Sequence, residues 1–296
     1  MDPSLETARL KALDALLVAL SLQPVSEDRF RVPPDNVRMF AHVYGGQLLA
    51  QALIAAGTTV SDKPPQSLHA QFVKAGTPGR SLELVVDRVR DGRSISTRNV
   101  AVLEDGKQLL VAIASFHEGS TESHLAMSAP RVPAPEDVQL LQHWAHALPD
   151  DLKEFGRSWI EQPPPIDVRI DEAPSFLGGL STSTTRSHWM RVPRDVGDDP
   201  LLHAALLTYA SDFFLMDMVF RAHPAATGPG RSNGLSLDHA IWFHRPVRFD
   251  QWHLHTQEAV AVVGDRGLAR GAIHDDEGRL AATVMQEVLV LPGPSR

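Results

Sequence analysis

One stretch of the chain is apolar on nearly every side. LLTYASDFFLMDMVF, residues 206–220, contains neither Pro nor Gly, and its length favours a helix over a strand. A helix that is apolar all round is normally enclosed by other protein. Asp212 and Asp217 interrupt the run, and removing an ionised carboxylate from water costs several kcal/mol unless partners compensate it. The pattern predicts a buried helix in which an aspartate either faces an edge or has a chemical role.

Alternating apolar and polar positions predict two groups of antiparallel strands. Residues 67–116 and 236–287 each have the pattern of a meander of about four strands. Each meander contains a turn of the same kind, EDGK at 104–107 and DEGR at 276–279. The two segments are therefore predicted to be copies of one structural unit.

A helical run precedes each meander, at residues 45–56 and 200–220. A helix followed by long strands can be enclosed by its own antiparallel sheet, which predicts an α+β class. We expect one unit at residues 1–118 and a second, carrying the active site, at 166–296. The segment 119–165 is rich in Pro, Ser, Glu and Asp and is predicted to be a linker with a short helix in LLQHWAHAL.

The composition narrows the class of protein. The chain has 296 residues, of which 43% are hydrophobic and 22% charged, and no apolar run is long enough to span a bilayer. A net charge of -8 without a Lys/Arg block argues against a nucleic-acid or anionic-membrane partner. There is no cysteine for a disulfide or a thiol nucleophile. Residues 1–20 begin acidic and have apolar positions at helical spacing, so we expect an amphipathic helix and a cytoplasmic protein.

Common catalytic motifs are missing from the sequence. The nearest approach to a Gly-x-Ser-x-Gly elbow is GLSLD at 234–238, which has Asp in place of the second Gly. Neither a Walker loop nor Gly-x-Gly-x-x-Gly is present. The pairs His143/His146 and His253/His255 lack a third placed ligand, so we expect surface histidines and no metal.

Three polar residues interrupt apolar runs in the second unit. Asp212 lies on the predicted helix, Ser236 at the start of the next strand and Gln286 in the last strand. Together they form an acid, a hydroxyl and an amide that three elements could bring around one water. Asp217 lies about 140° around a continuous helix from Asp212, which argues against a close carboxylate pair. His239 and His244 point to opposite faces of their strand, so we expect one of them to be buried.

The chain resembles type II, TesB-type acyl-CoA thioesterases, which have a double hotdog fold. The resemblance rests on motifs in both units: VYGGQLLAQAL, SLHAQFVKAGTPG, RDGRSISTRNVAV, LTYASDF, SLDHAIWFHRP and ATVMQE. DHAIWFHRP is highly specific, whereas the glycine pair alone is weak. The resemblance implies an enzyme that hydrolyses acyl-CoA without a cofactor, and the family commonly forms homo-oligomers.

The resemblance also assigns roles to residues. It implies that Asp212 accepts a proton from a water that Ser236 and Gln286 position for attack on the thioester. Many relatives have Thr where Ser236 stands, and Gly where Val288 stands. Gly46 is at a helix N-terminus, where a backbone N–H is expected to stabilise negative charge on the thioester oxygen.

The first unit lacks a matching set of polar residues. Sequence alignment of the two units places Ser67 with Ser236 and Ser115 with Gln286, without an Asp in the apolar part of the first helix. We therefore expect one active site per chain.

Two other functions are left open by the sequence. A hotdog enoyl-CoA hydratase has a motif resembling Asp-x-Asn-Pro-x-His, and DDPLLH at 198–203 is similar but lacks the Asn and has one extra residue before the His. A double hotdog protein that binds acyl-CoA without catalysis is the second alternative. An assay of thiol release from acyl-CoA distinguishes a thioesterase from both alternatives.

Overall fold

The computed structural model describes residues 3–34, 42–120, 122–223 and 233–291. The helices are α1 Pro3–Leu20, α2 Gly45–Thr58, α3 Leu141–His146, α4 Lys153–Glu161, α5 Pro200–Ser211 and α6 Leu215–Ala222. The strands are β1 Gln23–Ser26, β2 Arg29–Val32, β3 Pro65–Phe72, β4 Leu82–Asp91, β5 Ile95–Glu104, β6 Lys107–His117, β7 Asp167–Arg169, β8 Thr185–Arg191, β9 Asn233–Ser236, β10 Asp238–Phe243, β11 His253–Val263, β12 Arg266–His274 and β13 Leu280–Leu291.

The described strands form one continuous antiparallel sheet. Its order is β1-β2-β4-β5-β6-β3-β10-β13-β12-β11-β8-β7, and β9 adds to β13. Read from the outside inward, β2-β4-β5-β6-β3 and β8-β11-β12-β13-β10 repeat the same sequence of strands. Antiparallel pairing of β3 with β10 joins the halves, with His69 opposite Ala240. The expectation of two similar helix-and-sheet units is confirmed.

The two central helices lie against each other in opposite directions. A Cβ atom added to Gly46, near the start of α2, would lie 2.3 Å from the carbonyl oxygen of Tyr209 near the end of α5. One added to Gly57, near the end of α2, would lie 2.5 Å from a methyl carbon of Leu201 at the start of α5. Because glycine has no side chain, the backbones approach closely, and each helix begins where the other ends.

The apolar run 200–220 is not one helix, so that prediction was wrong. Helix α5 ends at Ser211 and α6 begins at Leu215, and between them Phe214 has a φ of 67°, in the left-handed region. Side chains from the sheet occupy the carbonyls of this break. Gln257 donates to the Phe213 oxygen at 2.6 Å, and Arg186 donates to the Phe214 oxygen at 3.2 Å. The Phe213 oxygen thus accepts from a side chain, whereas the Phe214 oxygen also accepts from the Met218 N–H of α6. Asp212 caps the end of α5.

The segment between the units contains more structure than the composition suggested. Helix α3 confirms the short helix, but α4 was not predicted. Trp159 of α4 is buried and stacks on Phe176, with ring centroids 4.9 Å apart, and Phe176 stacks in turn on Phe214. This aromatic stack attaches α4 to the helix break, so the segment packs against the second unit.

Candidate active site

Asp212 lies at the junction of the two central helices. It is the residue that caps the C-terminal end of α5, and only 8% of its surface is exposed. Its Oδ2 atom accepts a hydrogen bond from the backbone N–H of Gly46 at 2.8 Å. A Cβ atom at Gly45 would lie 2.9 Å from the same oxygen. The glycine pair thus brings the N-terminus of α2 to the carboxylate, where the helix dipole favours negative charge.

The expected role of Gly46 changes with this geometry. Its N–H was expected to face the oxygen of the substrate thioester, but in the structure it donates to Asp212. A backbone donor of this kind stabilises the ionised carboxylate.

Asp212 is held between opposing electrostatic effects. Burial raises the pKa of its carboxyl group above the ordinary value. The charge of His239 and the hydrogen bond from Gly46 act in the opposite direction on this pKa, and smaller contributions come from Gln286 and Tyr44. Burial also raises the pKa of the Tyr44 hydroxyl, followed by the charge of Asp212. A carboxylate that is buried yet still hydrogen-bonded is a stronger base than one in water.

The structure brings Ser236 and Gln286 to the same cluster. Gln286 is fully buried on β13, and its Nε2 atom donates to the Ser236 hydroxyl oxygen on β9 at 2.8 Å. The same side chain lowers the pKa of the Asp212 carboxyl group, against the effect of burial. The three residues selected from the sequence therefore come together from a helix end and two adjacent strands.

His239 is a member of this cluster that sequence reasoning did not assign. It is buried on β10, whereas His244 is exposed, which confirms the prediction that the strand buries one of them. Its Nδ1 atom lies 2.7 Å from the Gln286 amide oxygen, and its Nε2 atom lies 2.9 Å from the Ser211 hydroxyl. An amide oxygen only accepts, so Nδ1 must carry the proton. His239 thus orients the Gln286 amide with its NH₂ group toward Ser236.

Asp217 belongs to a different and structural network. Its carboxylate is buried and accepts hydrogen bonds from the Ser175 backbone N–H at 3.0 Å and from the Ser175 hydroxyl. It also forms ion pairs with Arg186 and, at 3.3 Å, with Arg221. These partners compensate the buried charge. They hold α6 to the sheet, and they differ from the partners of Asp212.

One prediction about histidines was wrong. His143 and His146 are exposed as expected, but His253 and His255 are buried. Both lie at the start of β11, where the strand enters the core. Within residues 3–34, 42–120, 122–223 and 233–291, no group of three or more His, Asp or Glu side chains is placed to hold a metal ion.

Comparison with known proteins places the chain in a family. The model of an acyl-CoA thioesterase family matches residues 161–289, and that of an acyl-CoA thioesterase N-terminal domain matches residues 33–117. Acyl-coenzyme A thioesterase 8 of Mus musculus is 32% identical over 284 residues, covering 92% of this chain and 87% of that protein. The chain belongs to the acyl-CoA thioesterase family. Acyl-CoA thioesterase 2 of Haemophilus influenzae is 30% identical, covering 94% of this chain and 97% of the relative.

Solved structures agree with this family and its TesB type. A TesB protein of Mycobacterium avium subspecies paratuberculosis superposes with a TM-score of 0.76 at 26% identity, covering 95% of this chain and 100% of that one. The thioesterase therefore has the double hotdog fold expected from the resemblance. Within the part of the chain that the structure describes, no helix is long and apolar enough to cross a membrane.

The hydratase-like motif of this thioesterase has a structural explanation. Asp199 caps α5 by accepting from the Leu201 N–H at 2.9 Å. His203 is buried, and both of its ring nitrogens face backbone: Nδ1 accepts from the Phe249 N–H at 3.1 Å and Nε2 lies 2.8 Å from the Gly197 carbonyl oxygen. A histidine held in this way is not available as a catalytic base.

Proposed function

We propose that this acyl-CoA thioesterase cleaves its substrate by direct attack of a water on the thioester carbonyl, with Asp212 as general base. Asp212 accepts a proton from the water, while the Ser236 hydroxyl and the Gln286 amide hold the water in place. The attack forms a C–O bond and expels the coenzyme A sulfur, so the products are a fatty acid and free coenzyme A. The observation that carries the proposal is the convergence of these three side chains at the end of α5, where Gln286 donates to Ser236 and acts on the pKa of Asp212.

The surroundings of Asp212 support this role. General base catalysis contributes about 10² to 10⁴ in rate and is most effective when the base has a pKa near the working pH. Burial raises the pKa of Asp212 toward that range, and the hydrogen bond from the Gly46 N–H favours the ionised form. Rate should therefore fall on the acid side as Asp212 becomes protonated, at a higher pH than for an exposed aspartate.

His239 and Ser211 support the amide that holds the water. Gln286 has two possible orientations, and only one of them presents its NH₂ group to Ser236. The proton on His239 Nδ1 selects this orientation, and Ser211 holds the other ring nitrogen. Both are positioning residues in this proposal.

The test is the Asp212→Asn variant. Asparagine has nearly the same shape as aspartate but cannot accept a proton, so we expect thiol release from a long-chain acyl-CoA to fall by about 10² to 10⁴. Circular dichroism and thermal unfolding should show an intact fold. Asp198→Asn is a matched control, because Asp198 is an exposed aspartate that pairs with Arg248. Full turnover by Asp212→Asn would refute the assignment.

Three wider expectations belong with this proposal. The division into units at 1–118 and 166–296, joined by 119–165, stays a prediction, as do a cytoplasmic location and assembly into homo-oligomers. Acyl-CoA is the proposed substrate, and no cofactor takes part in the proposed step.

A further inference from the structure

The two halves of the sheet are related by an approximate two-fold axis. His69 of β3 and Ala240 of β10 pair directly across it. Outward from this pair, His69 is opposite Ile113 of β6, and Ala240 is opposite Met285 of β13. The strand register thus equates positions in the first half with positions in the second. It places a second region, at the start of α5, in the same relation to the fold as the active site at the start of α2.

The second region lacks the catalytic groups. Leu68 and Ala114 pair with each other and occupy the positions equivalent to His239 and Gln286 of the active site. Pro65, which pairs with Phe116, occupies the position equivalent to Ser236, which pairs with Val288. On the helices, Gly57 and Leu201 occupy the positions equivalent to Asp212 and Gly46. Gly57 packs against Leu201, whereas Asp212 accepts a hydrogen bond from Gly46. The sequence alignment of Ser67 and Ser115 with Ser236 and Gln286 is therefore shifted from the structural register, and the region cannot activate a water in the same way.

A cleft nevertheless remains at this place. It has a volume of about 150 Å³, and its lining includes Pro65, Gln66, Pro200, Phe243, His244 and Arg245. Phe243 and Pro200 occupy the positions equivalent to Phe72 and Gly45. Phe72 and Gly45 are close neighbours beside Asp212, because a Cβ atom on Gly45 would lie 3.1 Å from the Phe72 ring. The cleft therefore lies at the place that corresponds, in the other half, to the surroundings of Gly45 and Phe72.

A basic residue follows the equivalent strand in both halves. Arg245 follows β10 as Lys74 follows β3, two residues after Phe243 and Phe72 respectively. The Arg245 Nε atom donates to the Leu280 carbonyl at 2.9 Å, which fixes the guanidinium at the cleft. Within the described ranges, no carboxylate forms an ion pair with it.

The acidic groups near this end of α5 have other partners. Asp198 pairs with Arg248, and Asp199 caps the helix by accepting from the Leu201 N–H. The positive charge of Arg245 is therefore not neutralised by them. Apolar walls beside a fixed cation suit a ligand that combines an anionic group with an apolar arm.

We propose that this cleft, defined by Pro65, Gln66, Pro200, Phe243, His244 and Arg245, is a second site that binds a coenzyme A thioester without hydrolysing it. The choice of ligand rests on the proposed function, because the cleft occupies the position equivalent to the site proposed for that substrate. The phosphates of the ligand would contact Arg245, and its acyl or pantetheine arm would lie along Phe243. The chain would then carry one hydrolytic and one non-hydrolytic site.

The test measures binding stoichiometry with a non-hydrolysable thioether analogue of a long-chain acyl-CoA. Isothermal titration of the wild-type chain should give two analogues per chain. Arg245→Gln removes the charge but keeps a donor for the Leu280 carbonyl, and it should weaken one of the two sites tenfold or more. Arg80→Gln, which removes the charge of an exposed arginine that lies 3.7 Å from Asp105, should leave both sites unchanged. Thermal unfolding checks all three proteins.

Hydrogen exchange on the wild-type chain provides a measurement that needs no variant. The analogue should protect the backbone N–H groups of Gln66, Phe243, His244, Arg245 and Val247 in addition to the active site. One analogue per chain, or two that persist unchanged in Arg245→Gln, would overturn the proposal, as would the absence of protection at these residues. Failure of the proposed hydrolytic mechanism can be distinguished from failure of the second site. It would show as retained thiol release in Asp212→Asn, and the number of analogues bound per chain could still be measured.

Discussion

At the scale of single residues, the cluster around Asp212 depends on neighbours that the sequence did not identify. Asp212, Ser236 and Gln286 were selected because they are polar residues in apolar runs and match a family pattern. The alternation of β10 indicated that one of its histidines points inward, but not what it meets. The contact of His239 with Gln286 depends on the pairing of β10 with β13, which a single sequence does not display.

Replacing His239 tests whether it positions the Gln286 amide. Leucine is compatible in size, since Leu68 occupies the equivalent place in the first half, but it cannot donate. We expect His239→Leu to lower kcat by about tenfold to a hundredfold, the cost of misplacing a reacting group, with little change in KM. His239→Asn places an N–H near the position of Nδ1 and should restore most of the activity. Steady-state thiol release measures both variants, and equal losses in the two would argue against a positioning role.

At the scale of elements, the proposed active site lies where two helix ends meet. The pattern predicted both helical runs, and it predicted that the second would be buried. It did not predict the break after Ser211, because the side chains that bond to its carbonyls, Gln257 and Arg186, lie on other strands. Without the break, Asp212 would lie inside a helix and would not cap the end of α5.

The glycine at the start of α2 provides a test of this contact. In Gly46→Ala the new methyl would lie 2.3 Å from the Tyr209 carbonyl oxygen, so the helices must separate. We expect a loss of about 1 to 3 kcal/mol in the free energy of unfolding, measured with denaturant. Weakening of the hydrogen bond from Gly46 should also raise the pKa of Asp212, moving the acid limb of the kcat/KM profile to higher pH.

Gly57→Ala is the matched control for that variant. Its methyl would meet the end of the Leu201 side chain, which can rotate away, at the opposite end of the helix pair. It should cost less stability and leave the acid limb in place. If both variants shifted the limb equally, the contact of Gly46 with Asp212 would not be the cause.

At the scale of the whole molecule, the sequence repeat predicted two similar units but not the register between them. The repeat was visible because the turns and the apolar alternation recur. The register was not, because β3 and β10 are far apart in the chain and each has only a few inward positions. The joined sheet also buries several histidines, including His188, His239, His253 and His255. Alternation indicated that β10 buries one histidine, but no local pattern distinguishes the other three from surface residues.

These buried histidines predict sensitivity to acid. Burial lowers the pKa of all four, that of His255 from 6.5 to about 3. In this range the unfolded chain binds more protons than the folded one, so stability should fall as pH decreases from about 6.5 toward 3, by about 1.4 kcal/mol per pH unit for each proton. Denaturant unfolding across this range measures the slope. His255→Leu should make it shallower by about one proton, whereas exposed His146→Gln should not; an unchanged slope in His255→Leu would contradict this account.

In the proposed mechanism, water attacks the thioester directly while Asp212 accepts its proton. A single turnover in ¹⁸O-labelled water, with enzyme in excess over acyl-CoA, tests it most directly by mass spectrometry of the products. Direct attack predicts one ¹⁸O atom in the fatty acid and none in the carboxylate of Asp212. An unlabelled fatty acid together with ¹⁸O in Asp212 would show that the carboxylate attacks the substrate itself, and would contradict the account.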